Sequence, residues 1–252
     1  SGSPAMVSGV MIDPIDSPRG IFTPEQVLAA VPPAYSIYHP LPVLLCIEQT
    51  HNFGGGAVWP IDQLRAVCQA ARSRQMKVHI DGARLFNASV ASGVAPREYG
   101  ALADSIWIDL SKGLGCPVGA VLAGSHEFIR RAARYKQAFG GGMRQAGIIA
   151  AAGIYALQNN IDRLAEDHAN ARRLAEGLAR ISRVKVLYPA DTNIVYFNVE
   201  GFTAMQFAEL AEKNGVKFSA VAVGGSVRAV THLDVSSDQI ETAIEIVRQL
   251  AA

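Results

Sequence analysis

Two residues in this chain stand where side chains do chemistry. Asp81 closes an apolar, β-rich run from Met76 to Ile80, and Lys112 lies in a Ser-Lys-Gly turn after a second such run, Ser105 to Leu110. Ligands of open α/β sheets bind at strand ends, and the interval between these residues is about that of one βαβ unit. The carboxylate and the amine are therefore expected to project into one crevice from nearby parallel strands. An amine that attacks an aldehyde must be deprotonated, which desolvation or a neighbouring cation provides. Taken singly, each residue has an ordinary role, a surface salt bridge for the lysine and a helix cap for the aspartate. Their position at two strand ends is what favours chemistry.

A pyridoxal phosphate site asks for this pair. Lysine forms the Schiff base, and a carboxylate keeps the pyridine nitrogen protonated. The ring then accepts the electron pair left when a bond to the substrate α-carbon breaks.

The surrounding elements read as a scaffold for that crevice. Thr23 and Pro24 open a helix ending near Val31, with Pro32 and Pro33 as the stop. Val43 to Ile47 reads as a buried strand ending in Glu48, with Gln49, Thr50, His51 and Asn52 clustered just past it. Ile61 to Gln75 is a helix with apolar residues at helical spacing, followed by the strand Lys77 to Asp81. Ser105 to Leu110 adds a third strand and Gly119 to Ala123 a fourth. This alternation implies an α/β fold with a mainly parallel sheet covered on both faces. From Asn160 an amphipathic helix runs to Ile181. Strand-like runs and helices follow up to a closing helix, Ser237 to Leu250, and read as a smaller α+β C-terminal domain. The expected division is 1–155 for the large, cofactor-binding domain and 156–252 for the small one. Met6 to Val10 is a short apolar run, and after Pro4 it reads as a strand.

The blocks that carry the chemistry resemble a known family. IDGARLFNA (Ile80 to Ala88) followed by LSKGLGCPVGAVLAGS (Leu110 to Ser125) is similar to the core of the threonine aldolase and β-eliminating lyase family, pyridoxal-phosphate enzymes of the aspartate-aminotransferase fold type (fold type I). The resemblance continues through IEQTHNFGGGAVWP (Ile47 to Pro60), GGGMRQAGIIAAAGIYAL (Gly140 to Leu157) and VRAVTHLDVSSDQI (Val227 to Ile240), in the family's order. It places residue 1 some way into a family member, beyond the loop that usually holds the cofactor phosphate; the early stretch Ser1 to Ser3 is the only candidate left for it.

The resemblance implies a role for each site residue. Lys112 carries pyridoxal 5'-phosphate as a Schiff base, and Asp81 pairs with the pyridine nitrogen. Arg84 lies beside the cofactor's phenolic oxygen and the substrate carboxylate, Arg228 clamps that carboxylate, and Arg144 lies near the cofactor phosphate or a neighbouring subunit. Aldol cleavage of a β-hydroxy amino acid to glycine and an aldehyde also needs a base for the β-hydroxyl proton. His39, in SIYHPLPVLL, matches a family histidine that contacts this hydroxyl, and His51 is the second candidate. Leu41, Pro42 and Val43 depart from the Arg and Thr that family members often carry there. That departure keeps β-elimination, deamination or racemisation of another amino acid as an alternative, with a non-catalytic remnant or the sensor half of a regulator as a third. Family members assemble as homodimers or homotetramers, and the same is expected here.

Composition narrows the class further. Lys and Arg number 23 against 22 Asp and Glu, a net charge of +1, so no basic face is available for nucleic acid. No apolar run approaches a membrane span and the start lacks a signal-peptide pattern; a cytoplasmic protein is expected. Cys46, Cys68 and Cys116 form no metal spacing. Cys46 and Cys68 read as core, and Cys116 as a thiol exposed in the cleft. His79 reads as a satisfied strand histidine and His232 as a residue behind the cleft, while His126 and His168 read as helix-surface residues.

Overall fold

The computed structural model describes residues 2–32, 37–221 and 224–252. Ser1, in the early loop candidate, and Pro33, as a helix stop, lie outside them. Two short helices come first, α1 (Ser3–Ser8) and α2 (Pro24–Ala29). Thr23 starts α2 with a reciprocal cap: its Oγ1 accepts from Gln26 N at 3.3 Å, and Gln26 Oε1 accepts from Thr23 N at 2.9 Å.

The first sheet is built from β1 (Leu44–Glu48), β2 (Lys77–Gly82), β3 (Ser105–Asp109) and β4 (Ala120–Gly124), in that spatial order. Helix α3 (Ile61–Ser73) connects β1 to β2, and α4 (Leu85–Ser92) with α5 (Pro96–Gly100) connects β2 to β3. These crossovers make β1, β2 and β3 parallel, as expected. β4 departs from a parallel sheet and runs antiparallel to β3. Residues 110–119 contain no helix to carry the chain back across the sheet, so the chain simply reverses. That reversal is the lysine turn. Leu64, Val67, Cys68 and Ala71 of α3 pack with Leu45, Ile47, Val78 and Ile80 into one core that also encloses Trp59 and Tyr99. Each buried Leu, Val or Ile side chain contributes about 1.5–3 kcal/mol by leaving water.

After α6 (His126–Ala138) and α7 (Gly147–Asn159), α8 (Leu164–Ala179) leads into a second sheet. It comprises β5 (Val184–Val186), β6 (Ile194–Val199), β7 (Ser219–Val221) and β8 (Ser226–Val230), ordered β5-β6-β8-β7 and antiparallel throughout. Helix α9 (Ala204–Lys213), α8 and α10 (Ser237–Leu250) cover it around Val195, Phe197 and Val227. Among the described residues no helix is long and apolar enough to cross a membrane.

Several sequence expectations need correction. Val43 and Leu44, read as part of a buried strand, are exposed, and only Leu45 and Ile47 of that run are buried. The run after Pro4 is the helix α1: Pro4 occupies a helix-start position, where its missing N–H is no loss, and Gly9 closes the turn at φ 62 by donating to Ala5 O. Cys46 is exposed because strand alternation turns it away from Leu45 and Ile47, onto the other face of β1. Cys116 is buried, packed with Leu110, Leu114, Ala156 and Leu164 beneath the lysine turn. His168 is also buried. It shares a face of α8 with Leu164 and Ala171, and that face packs on α4.

Candidate active site

Strand register assembles one row of side chains across the first sheet. Glu48 is paired with Asp81, and Asp81 with Trp107; register partners point to the same face. Lys112 curls back over this row from the turn. Its Nζ lies 5.2 Å from the Trp107 ring centroid and 2.7 Å from Asp109 Oδ2. The other oxygen of Asp109 accepts from Ser111 N at 2.9 Å and from Ser111 Oγ at 2.8 Å. Burial pushes the Asp109 carboxyl up, but the bonds from Lys112 and Ser111 outweigh it and hold the group below its usual range. Asp81 Oδ1 accepts from Ala83 N at 3.1 Å, and among the described residues its carboxylate has no ion pair.

The two arginines converge through the cluster after β1. Arg84 is the N-cap residue of α4, and Arg228 lies on β8. Arg228 Nη1 donates to Asn52 Oδ1 at 3.0 Å, Asn52 N donates to Glu48 Oε1 at 3.0 Å, and that oxygen lies 3.8 Å from Arg84 Nη1. Burial lowers the Arg84 guanidinium from its usual value; Glu48 opposes this and the charge of Arg228 adds to it. The two guanidiniums are thus linked through Glu48 and Asn52. Tyr196 stands opposite Arg228 across β6 and β8. Burial raises its phenol, while Arg228 and Arg84 pull it down. The Arg228 Nε and the Tyr196 hydroxyl are buried and close no hydrogen bond of good geometry. Such orphaned polar atoms fit a pocket completed by a ligand carboxylate.

The remaining candidates are distributed around this centre. His51 Nδ1 accepts from Gly54 N at 3.0 Å, and its Nε2 lies 3.7 Å from Glu48 Oε2, beyond hydrogen-bond reach. Gly20 closes over the ring: a Cβ there would stand 2.3 Å from it. His39 lies on an exposed turn before β1. Arg144 lies on the exposed loop between α6 and α7, without an ion pair among the described residues. His79 is satisfied by Ser105 Oγ at 2.8 Å, and His232 is half-exposed beside Asp234. Among the described residues no cluster of His, Cys, Asp or Glu is arranged to hold a metal ion.

The donor set fits pyridoxal phosphate: an amine in a turn beside an aromatic ring, a carboxylate on the same row without a cation, and an arginine pair. Sequence reading missed Trp107, Asp109 and Tyr196. The first two lie on one face of a single strand at alternate positions, a signal that was present; the importance of Tyr196 depends on its register with Arg228, which only the sheet shows.

An α/β sheet with lysine and aspartate at its strand ends, faced by arginine from an antiparallel sheet, is the architecture of fold type I pyridoxal-phosphate enzymes. The Leishmania major threonine aldolase superposes with a TM-score of 0.81 at 18% identity, over 98% of this chain and 72% of that one. The family model described as β-eliminating lyase matches residues 1–201, and the chain belongs to that family. It is 41% identical over 241 residues to the low specificity L-threonine aldolase of Escherichia coli K12, covering 95% of this chain and 70% of that protein. It is 32% identical to the low specificity L-threonine aldolase of Saccharomyces cerevisiae, covering 94% of this chain and 60% of that protein.

Proposed function

We propose that this chain cleaves L-threonine, L-allo-threonine or a related β-hydroxy amino acid to glycine and an aldehyde, with pyridoxal 5'-phosphate bound to Lys112 as a Schiff base. The convergence of Arg84 and Arg228 opposite the Asp81, Trp107 and Lys112 row is the observation that carries this reading, together with 41% identity to a threonine aldolase over most of the chain. The two guanidiniums hold the substrate carboxylate, with Asn52 and Glu48 linking them. When bound, the cofactor supplies the sink for the electron pair left on the α-carbon. Asp81 keeps the cofactor's ring nitrogen protonated. Lys112 would hold the cofactor through its amine and give way to the substrate amine, and Asp109, 2.7 Å from that amine, would keep it oriented over the row. The β-hydroxyl proton goes to a histidine. With the His51 Nδ1 lone pair taken up by Gly54 N, we assign that base to His39, with a positioning role for His51. Arg144 is assigned to the cofactor phosphate or a neighbouring subunit.

The same reading includes a division at 1–155 and 156–252, supported by two sheets with separate cores. It also includes a homodimer or homotetramer in the cytoplasm. Exposed Phe128, Tyr135, Phe139, Ile148, Ile154 and Tyr155 on α6, α7 and the loop between them offer an apolar face for subunit contact. The deciding experiment incubates the purified chain with pyridoxal phosphate and L-threonine. Acetaldehyde and glycine in equal amounts are expected; 2-oxobutyrate and ammonia instead would overturn the assignment to aldol cleavage.

A further inference from the structure

Between the lysine turn and the two arginines lies a buried polar junction that the proposed chemistry leaves unused. Asn87 of α4 is 3% exposed and sits one turn after Arg84. Its Nδ2 donates to His168 Nε2 at 3.1 Å and points to Asn193 Oδ1 at 3.5 Å. Its Oδ1 stands 3.5 Å from where a Cβ on Gly113 would be, so the amide lies against the residue that follows Lys112. Asn193 passes the connection on: its Nδ2 donates to Thr231 O at 3.0 Å, and Thr231 N donates back to Asn193 O at 3.0 Å. Thr231 Oγ1 donates to Asp167 O at 2.6 Å, which returns the chain of bonds to α8. Thr231 is three residues past Arg228. One side-chain amide therefore touches the lysine turn, the helix that begins at Arg84, and the residues that anchor the end of the Arg228 strand.

A polar junction in this place needs a reason. Buried amides stabilise only when their partners are all present, and the neighbouring cluster of Leu110, Leu114, Ala156 and Leu164 shows that apolar packing serves equally well to join these elements. Directional bonds fix separation and angle, whereas apolar surfaces slide. We propose that Asn87 is a positioning residue that sets the spacing of Arg84 and Arg228 relative to Lys112, with His168 and Asn193 as its fixed acceptors. The role of His168 follows from donor chemistry: an amide nitrogen only donates, so Nε2 accepts and the ring is neutral. Burial, with the charge of Arg172 adding to it, favours that neutral form.

The inference rests on the arginine pair binding a carboxylate, and the test separates the two. Asn87→Leu and His168→Leu remove the bonds at similar volume, His168→Gln keeps an acceptor, and Asn87→Ser is a milder disruption should Asn87→Leu fail to fold. The expected result on the cofactor-loaded full chain is a KM for L-threonine raised at least tenfold in Asn87→Leu and His168→Leu, and at least fivefold in Asn87→Ser. kcat should stay within threefold, pyridoxal phosphate affinity within twofold, and His168→Gln should return KM to within threefold of the parent. Calorimetric binding of glycine should weaken in the same order, and it tests the spacing even if threonine is not cleaved. Unchanged glycine and threonine binding in folded Asn87 variants would overturn the proposal, as would cofactor affinity falling in step with KM. Absence of aldehyde release from the parent chain, with the glycine series still ordered, would overturn the reaction and leave the positioning role standing.

Discussion

Asp81 and Trp107 stand directly opposite one another on β2 and β3, and the Lys112 amine lies 5.2 Å from the centre of that indole. Backbone pairing, a property of the whole sheet, thereby sets the relation between the carboxylate and the amine. Reduction with borohydride after incubation with pyridoxal phosphate is expected to fix the label on Lys112, and peptide mapping reads it directly. Label found on Lys77 or Lys136 with Lys112 unmodified would remove the lysine from its role.

Asp81→Asn keeps the shape of the side chain and removes its charge. The ring nitrogen would then lose the partner that holds its proton, and kcat should fall at least hundredfold, about 2.7 kcal/mol of transition-state stabilisation. Steady-state rates with saturating cofactor check this, and a change of less than threefold would show that the carboxylate is not needed.

Arg228→Ala should raise KM for L-threonine by tenfold to a hundredfold, roughly the strength of a charge-assisted pair, and leave cofactor affinity unchanged. Equal loss of substrate and cofactor binding would move Arg228 from the substrate to the cofactor.

The two histidines give a contrast. His39→Asn should lower kcat by about a hundredfold or more, the usual scale of a general base. His51→Asn should act mainly through KM, since His51 reaches Arg84 only through Glu48. The opposite ranking would place the base at His51.

Stability should depend on acid pH through His168. Burial, then the charge of Arg172, lowers its pKa to about 4 in the folded chain, below the 6.5 of a free imidazole. The unfolded chain therefore binds the extra proton between these values. The contribution of the neutral ring is fully present above pH 6.5 and is lost as pH falls towards 4, on the order of 3 kcal/mol in total. Asp167, raised by burial against the pull of Arg163, contributes with the opposite sign at the acid end. Denaturant midpoints between pH 7 and 4 should show the slope, and His168→Gln should flatten it.

The sequence was most legible where chemistry interrupts an apolar run. Asp81 and Lys112 stand out because a charged residue ends a β-rich stretch, and Thr23 because a cap has a local signature. Pairing across the chain was not legible. Nothing near Tyr196 announces Arg228, and Cys46 reads as core until the sheet shows which face is covered. His168 was missed for a different reason. It stands on the Leu164, Ala171, Leu174 and Leu178 stripe of its helix, and a polar residue on such a stripe marks a buried bond rather than a solvated position. β4 ran antiparallel because the lysine turn is too short for a crossover, which loop length alone could have foretold.

The hydrogen bond from Arg228 to Asn52 joins residues 176 positions apart. During synthesis, therefore, the lysine, the aspartate and the first arginine all emerge long before the second arginine exists to meet them. On the proposed reading, a half-made chain presents its amine and carboxylate without the second arginine of the clamp, and would acquire amino-acid recognition only when the second sheet closes. Substrate binding would then report completed folding, and a bound amino acid would stabilise the finished chain selectively, by RT ln(1 + [L]/Kd).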